Sequence, residues 1–249
     1  MSQDEGRIQP GEEILSATRE WLAAVRGALG AEFLSAYLHG SVLTQGFDPA
    51  RSHINLLVIA RSLDGPVLDA LARSIPKPGK RFRFQPLFMS QLGIEKSLDS
   101  FPIEWLEIQE RNLLLEGADP LRDMDVPRTY LRVQCEHELR GKHLQLRQAY
   151  LLSHADPAAL QQLLEASASG FATLFRTLLR LAGETPPADA ARVIERVADR
   201  FQLDAEGLLI AYLVRSGGKR LSKEETAATF RRFLDQIQRL VVAIDLLPV

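Results

Sequence analysis

The sequence predicts an α+β protein in which an N-terminal mixed sheet, flanked by helices, precedes a C-terminal helical bundle. Helical and strand-like segments alternate up to about residue 120, and such alternation is typical of a sheet covered by helices. In the remainder, apolar residues recur only at helical spacing, which is typical of a bundle. We therefore expect an N-terminal tail (1–12), an α/β domain (13–122) and a helical domain (123–249).

Changes in apolar spacing predict the elements of the first half. Apolar residues from Ile14 to Leu29 have helical spacing, and Gly30 ends that run. Asp64 stands where an N-cap residue would begin another helix. The predicted order is a helix after Pro10, strands at 33–38 and 53–59, a helix at 64–75 and a strand at 81–85. Residues 101–108 and 113–115 are expected to add one or two strands.

The second half is predicted to be helical throughout. A polar stretch with two prolines, from Asp119 to Pro127, marks the expected domain boundary. Beyond it, prolines and glycines separate runs of helical spacing. Helices are predicted at 128–153, 157–182, 187–202, 205–215 and 222–246.

Composition excludes several functional classes. The 249 residues carry a net charge of -2, and the pI is near 6.2, so nucleic acid is not an expected partner. The single cysteine, Cys135, excludes a disulfide framework and fits a reducing compartment. No stretch reaches the roughly 18 apolar residues of a membrane helix, and the acidic start differs from a secretory signal. We expect a cytoplasmic protein with no membrane partner.

One segment, residues 38–58, carries a chemical motif. A predicted strand runs into Gly40 and Ser41, which open a helical turn, and a loop then leads to the next strand. Gly40 lets the backbone approach a phosphate closely because it has no side chain. Ser41 offers a hydroxyl beside the N–H groups at the start of a helical turn, and these can receive an anion.

This segment resembles the nucleotidyltransferase superfamily typified by kanamycin nucleotidyltransferase and DNA polymerase beta. The family motif is Gly-Ser, a short spacer and then Asp-x-Asp on the next strand. Gly40 and Ser41 match it, and residues 52–58, Ser-His-Ile-Asn-Leu-Leu-Val, stand where the family has Ser-Asp-Ile-Asp-Leu-Leu-Val. The resemblance implies that the first half is the catalytic-type domain and that the helical half corresponds to the bundle behind many of these enzymes.

The departures from the motif bear directly on activity. In the family the two aspartates face the phosphates and hold Mg²⁺, but this chain has His53 and Asn55 at those positions. The family's third carboxylate lies on the next strand, which here reads Arg81-Phe-Arg-Phe-Gln85 without an acid. Mg²⁺ prefers carboxylate oxygens, so we predict no metal site and a catalytically silent protein.

Other residues of the chain could replace the missing carboxylates. Asp48 lies in the loop after Ser41, where a turn role is the favoured interpretation. Glu104 and Glu107 follow the third predicted strand. Some antibiotic-modifying members carry a general base there, and Glu104 could fill that place, although an exposed acid on a strand face is favoured. His53 could act as a base near neutral pH, but a surface histidine needs no such role. His53 and Glu104 are therefore the catalytic candidates.

The helical half offers a weaker alternative. Two Arg-His spacings, Arg132 with His137 and Arg147 with His154, resemble the Arg-x4–6-His motif of HEPN ribonucleases. That reaction would need no metal, with histidine in acid–base catalysis and arginine on the phosphate. An arginine-rich helical half also produces such spacings by chance.

The first hypothesis is therefore a nucleotidyltransferase-like protein, impaired in catalysis, that binds a nucleotide or phosphorylated ligand through Gly40, Ser41 and Asn55 or acts as a regulatory module. A protein partner or a homodimer fits the regulatory role. The alternatives are an active enzyme that transfers a nucleoside monophosphate to a hydroxyl, which would need Mg²⁺ and a nucleoside triphosphate, and the HEPN-like ribonuclease.

Overall fold

The computed structural model of the protein describes residues 8–44, 47, 49, 52–76, 82–153, 155–219 and 221–247. They divide into two compact units, the first ending at Val126 and the second beginning at Pro127. Each unit has its own apolar core.

The first unit contains the described strands. Its elements are α1 (Glu12–Leu29), β1 (Phe33–His39), β2 (Ile54–Ala60), α2 (Gly65–Ser74), β3 (Phe84–Ser90), α3 (Gln91–Glu95), α4 (Pro102–Glu110) and β4 (Asn112–Gly117). The strands form one mixed sheet in the order β3-β2-β1-β4. Strand β1 is antiparallel to both β2 and β4, whereas β2 and β3 are parallel. The predicted α+β architecture is confirmed.

Because successive side chains of a strand point to opposite faces, apolar residues form a separate core on each face of the sheet. On one face, Leu56 and Val58 of β2 pack in a cluster with Trp21 of α1 and Leu71 of α2. The rings of Trp21 and Phe84 lie 5.8 Å apart in this layer. On the other face, a second cluster contains Tyr37, Leu57 and Ile59 from the strands, Ile94 from α3, and Trp105 and Ile108 from α4.

The prediction of a strand at 101–108 is wrong, because Pro102–Glu110 forms helix α4. Pro102 occupies the first helical position, where a missing N–H group costs little. Ile103, Trp105 and Ile108 are all buried, and the three-residue step from Trp105 to Ile108 suits a helix that packs on a sheet. The short apolar run did not distinguish the two periods.

The third strand is longer and later than predicted. It spans Phe84–Ser90 and pairs in parallel with β2 along its whole length. Pro86 lies within it and has no N–H group to donate, which an edge strand tolerates. Arg81, at the start of the predicted strand, lies outside the described residues.

The described part of the second unit is helical, as predicted. Its helices are α5 (Arg128–Ser153), α6 (Pro157–Leu181), α7 (Ala190–Phe201), α8 (Ala205–Arg215) and α9 (Lys223–Ile244). Helix α6 packs against each of the other helices of this unit, and Phe171 meets Phe233 of α9 edge to face at 5.6 Å. No helix in the described ranges is long and apolar enough to cross a membrane.

Candidate functional site

The predicted turn after β1 is present. Residues Gly40–Leu43 form one turn of 3-10 helix, and Thr44 closes it by donating its hydroxyl to the Ser41 carbonyl at 2.8 Å. Gly40 has a φ of +79°, and a Cβ atom placed there would lie 3.0 Å from the Asn55 amide nitrogen. The turn therefore requires glycine both for its backbone conformation and for the close approach of Asn55.

Strand register places four polar side chains side by side at this edge of the sheet. Asn55 is paired with Gln85 on one side and with His39 on the other, and His39 is also paired with Asn112. Paired residues point to the same face, so the four form one line across the strands. We call Gln85, Asn55, His39 and Asn112 the polar row. At the usual strand spacing it is roughly 14 Å long.

The two ends of the polar row differ in environment. Asn112 donates its amide N–H groups to the carbonyls of Ile108 and Gln109, at 3.0 and 2.9 Å, and so holds the end of α4. Gln85, at the opposite end, lies on edge strand β3 and is exposed. Asn112 therefore has a structural role, whereas Gln85, Asn55 and the adjacent Gly40–Ser41 turn form the accessible portion.

His39 belongs to the polar row, although it is not one of the motif positions. Burial lowers the pKa of its imidazole from 6.5 to about 4. The ring is therefore neutral at pH 7. In the sequence, only its position directly before Gly40 points to His39 as a site residue. That position becomes informative only when the strand register pairs His39 with Asn55.

Asn55 lies against the turn at Gly40, and His53 lies at the same end of the sheet. His53 is exposed and immediately precedes β2, two residues before Asn55. The hydrogen bonding between β2 and β3 begins one residue before β3, because the Ile54 N–H donates to the Arg83 carbonyl at 2.9 Å. By alternation, His53 and Arg83 belong to the same face as the polar row.

The whole chain has structural relatives. No family model and no curated protein matches it. A spectinomycin adenyltransferase, AAD(9), from Enterococcus faecialis, solved with ATP and spectinomycin, is similar over 91% of this chain and 99% of its own, with 16% identity and a TM-score of 0.56. A nucleotidyltransferase-like protein from Exiguobacterium sibiricum 255-15 covers 92% of this chain and 75% of its own, with 15% identity and a TM-score of 0.39.

The chain has the nucleotidyltransferase fold. The match to the adenyltransferase extends over nearly the full length of both chains, so it includes the helical half as well as the sheet. Within this fold the polar row and the Gly40–Ser41 turn share one edge of the sheet, formed by the end of β1 and the starts of β2, β3 and β4.

The catalytic candidate Glu104 lies elsewhere than expected. It was predicted on an exposed strand face, but it is an exposed residue in the first turn of helix α4. Helix α4 begins at Pro102 and ends beside Asn112 of the polar row, so Glu104 lies more than one helical turn before the end of α4 that contacts the row. Glu107 is a half-buried residue of the same helix, and Asp48 lies outside the described residues.

The residues at this edge do not fit Mg²⁺. The polar row contributes amides and a neutral imidazole, whereas Mg²⁺ prefers carboxylates and other hard oxygen ligands. Across the ranges that the structure describes, no group of three or more His, Cys, Asp or Glu residues could hold a metal ion.

Three residues of the two Arg-His spacings, Arg132, His137 and Arg147, lie in helix α5. Arg132 pairs with Glu136 at 3.1 Å and donates to the Leu247 carbonyl. His137 is exposed and lies five residues further along α5, which turns it about 140° away from Arg132. Helix α5 therefore does not bring these two to one face, and His154, the partner of Arg147 in the other spacing, lies outside the described residues.

Proposed function

We propose that this protein uses the nucleotidyltransferase fold to bind a nucleotide or another phosphorylated small molecule, without transferring a nucleotidyl group. The bound complex, rather than a chemical product, is then its output, as in a regulatory or interaction module. The single cysteine fits a reducing compartment, which supports a cytoplasmic site for this role.

The absence of carboxylates from the polar row is the observation that supports the loss of transfer. Nucleotidyl transfer leaves negative charge on the reacting phosphate, and metal ions held by carboxylates neutralise it and activate the attacking hydroxyl. Here the paired positions on β1, β2 and β3 are His39, Asn55 and Gln85. None of them carries the negative charge that such an ion requires.

Retained binding is supported by the turn itself. Gly40 keeps its left-handed conformation and its close approach to the Asn55 amide, and Ser41 is only half-buried. Hydroxyl and amide N–H groups can donate to phosphate oxygens without a metal. The structural relative AAD(9) was solved with ATP, which makes nucleoside triphosphates the first ligands to test.

Calorimetric titration with ATP, GTP, CTP and UTP tests binding, with tripolyphosphate as a ligand that does not depend on the base. We expect at least one of these to bind, and Ser41→Ala to weaken it by about tenfold, the effect of one hydrogen bond to a charged group. Ser100→Ala is the matched control, because Ser100 is exposed and precedes α4 at the opposite edge of the sheet.

Pyrophosphate release measured in parallel tests the loss of transfer. Spectinomycin is a suitable trial acceptor because it is the molecule bound by AAD(9). We expect no release that depends on Mg²⁺. Metal-dependent release, or the failure of every phosphate ligand to bind, would overturn the proposal.

A further inference from the structure

We propose that the second unit contains a further binding site, a cavity between α5 and α6 that takes a small organic anion with an apolar tail. The cavity has a volume of about 250 Å³. At roughly 30 Å³ for each water-sized group, it has space for about eight non-hydrogen atoms. The described residues that line it all belong to α5 and α6, so the cavity shares no residue with the Gly40–Ser41 turn or the polar row.

The lining of the cavity is largely apolar. Leu146 of α5 and Phe171 of α6 are buried residues of this lining, and Leu163 of α6 is half-buried. Ala149 on α5 and Gly170 on α6 also face the cavity, and they are too small to fill the space between the helices. Covering such a surface with a hydrocarbon chain removes apolar area from water, which is favourable. The cavity therefore fits the apolar part of a ligand.

Lys142 supplies a positive charge at this cavity. Its ammonium reaches from α5 to α6, where a Cβ atom added to Gly170 would lie 3.2 Å from the Lys142 Nζ atom. The Lys142 side chain is only 32% exposed, so water screens its charge less than that of an ordinary surface lysine. Gln145, one turn further along α5, adds an amide donor to the lining. A carboxylate in the cavity could accept hydrogen bonds from both groups.

Glu138 is the acid that competes for Lys142. The two form an ion pair at 3.8 Å, which is longer than a hydrogen bond, and the Glu138 side chain is 41% exposed. An exposed pair of this kind contributes little to stability, so a ligand carboxylate can replace Glu138 while Glu138 stays in water. Glu165, the one acid of α6, lies two residues from both Leu163 and Ser167, which turns it about 160° away from these lining residues.

NMR titration of the full chain with hexanoate, followed through labelled alanine and leucine methyl groups, tests this site. Hexanoate joins a carboxylate to a hydrocarbon chain of matching size, and we expect a Kd on the order of 1 mM. Hexanol, which lacks the charge, should bind about tenfold more weakly. Lys142→Met keeps most of the aliphatic stem, so it should weaken hexanoate binding about tenfold and leave hexanol binding unchanged. Lys96→Met, which removes the same charge at an exposed residue of the first unit, is the matched control and should change neither.

Filling the cavity separates this site from weak binding elsewhere on the chain. Ala149→Leu adds a larger side chain to the lining without weakening the helix, and it should abolish binding of both hexanoate and hexanol. Ala166→Leu, at an exposed position of the same lining, serves if Ala149→Leu does not fold. The proposal would be overturned by equal affinity for hexanoate and hexanol, by hexanoate binding that Lys142→Met leaves unchanged, or by binding that survives the leucine variants. Absence of hexanoate binding at concentrations well above the expected Kd would overturn it as well.

Discussion

At the scale of single residues, Gly40 determines the geometry of the turn. Its φ of +79° lies in the left-handed region, and a methyl group there would press on the Asn55 amide. Both effects disfavour any other residue at this position. The left-handed φ would strain the backbone of a residue with a Cβ atom, and the methyl group would displace Asn55 from the polar row.

Gly40→Ala is therefore expected to lower the free energy of unfolding by about 1–2 kcal/mol and to weaken phosphate binding. Urea denaturation and calorimetry measure the two effects. Gly27→Ala is the control, because Gly27 lies exposed within α1 with nothing near its missing Cβ, and alanine should stabilise a helix there by up to about 1 kcal/mol. A Gly40→Ala protein as stable as the wild type would contradict the described turn.

His39 gives the fold a dependence on pH. Its pKa is lowered to about 4 by burial, so the neutral ring stabilises the folded state fully above pH 6.5, and this contribution is lost as the pH falls towards 4. His143 also contributes to the pH dependence, because burial and Arg147 lower its pKa. Comparing the wild type with His39→Gln separates the contribution of His39 from that of His143. The difference in unfolding free energy should change by at most about 3 kcal/mol between pH 7 and pH 4. If the unfolding free energies of the two proteins changed equally between pH 7 and pH 4, this role of His39 would be refuted.

At the scale of elements, helix termini contain the clearest local signals. Ser222 accepts a hydrogen bond from the Glu225 N–H at 3.2 Å, and the Glu225 carboxylate accepts one from the Ser222 N–H at 2.9 Å. This capping box fixes the start of α9, whose Phe230, Phe233 and Ile237 are buried in the core of the second unit.

Ser222→Ala should accordingly lower stability by about 1 kcal/mol. The loss is measured by thermal unfolding, followed through the helical circular dichroism signal. Ser222→Asp restores an acceptor at the N-cap and should return most of the lost stability. If alanine and aspartate had equal effects, the capping role would be wrong.

Long periodic segments were predictable from sequence, and short ones were not. Helices α5 to α9 follow runs of regular spacing, and β1, β2 and β4 follow apolar runs bounded by turn residues. Residues 101–108 are too short and too apolar to reveal their period, so the sequence predicts a strand where the structure has α4. The end of β3 depends on its pairing with β2, which is a tertiary contact.

The candidate site likewise contains residues that the sequence predicts and residues that it does not. Gly40, Ser41, His53 and Asn55 were selected from a local motif, and the structure gathers them at one edge of the sheet. His39, Gln85 and Asn112 join them only through strand register. Register joins residues that are distant in the chain, so a motif confined to one segment cannot contain it.

At the scale of the whole molecule, the chain consists of two compact units with separate cores. Residues 127–249 expressed alone should therefore fold into a helical protein with a cooperative thermal transition. Cys135, the one cysteine of the chain, is fully buried, and burial raises the pKa of its thiol to about 12. It should react with a thiol reagent only when the fragment unfolds. Rapid reaction in native buffer would show that the second unit cannot fold alone.

The central claim concerns the first unit, where the nucleotidyltransferase fold presents amides and a neutral imidazole along its polar row. The most direct test is incorporation of label from α-³²P nucleoside triphosphates by the wild-type protein, with Mg²⁺ and with EDTA. The account predicts no labelled product that depends on Mg²⁺. A magnesium-dependent product that disappears in Asp48→Asn would contradict it, because a carboxylate would then complete a working metal site.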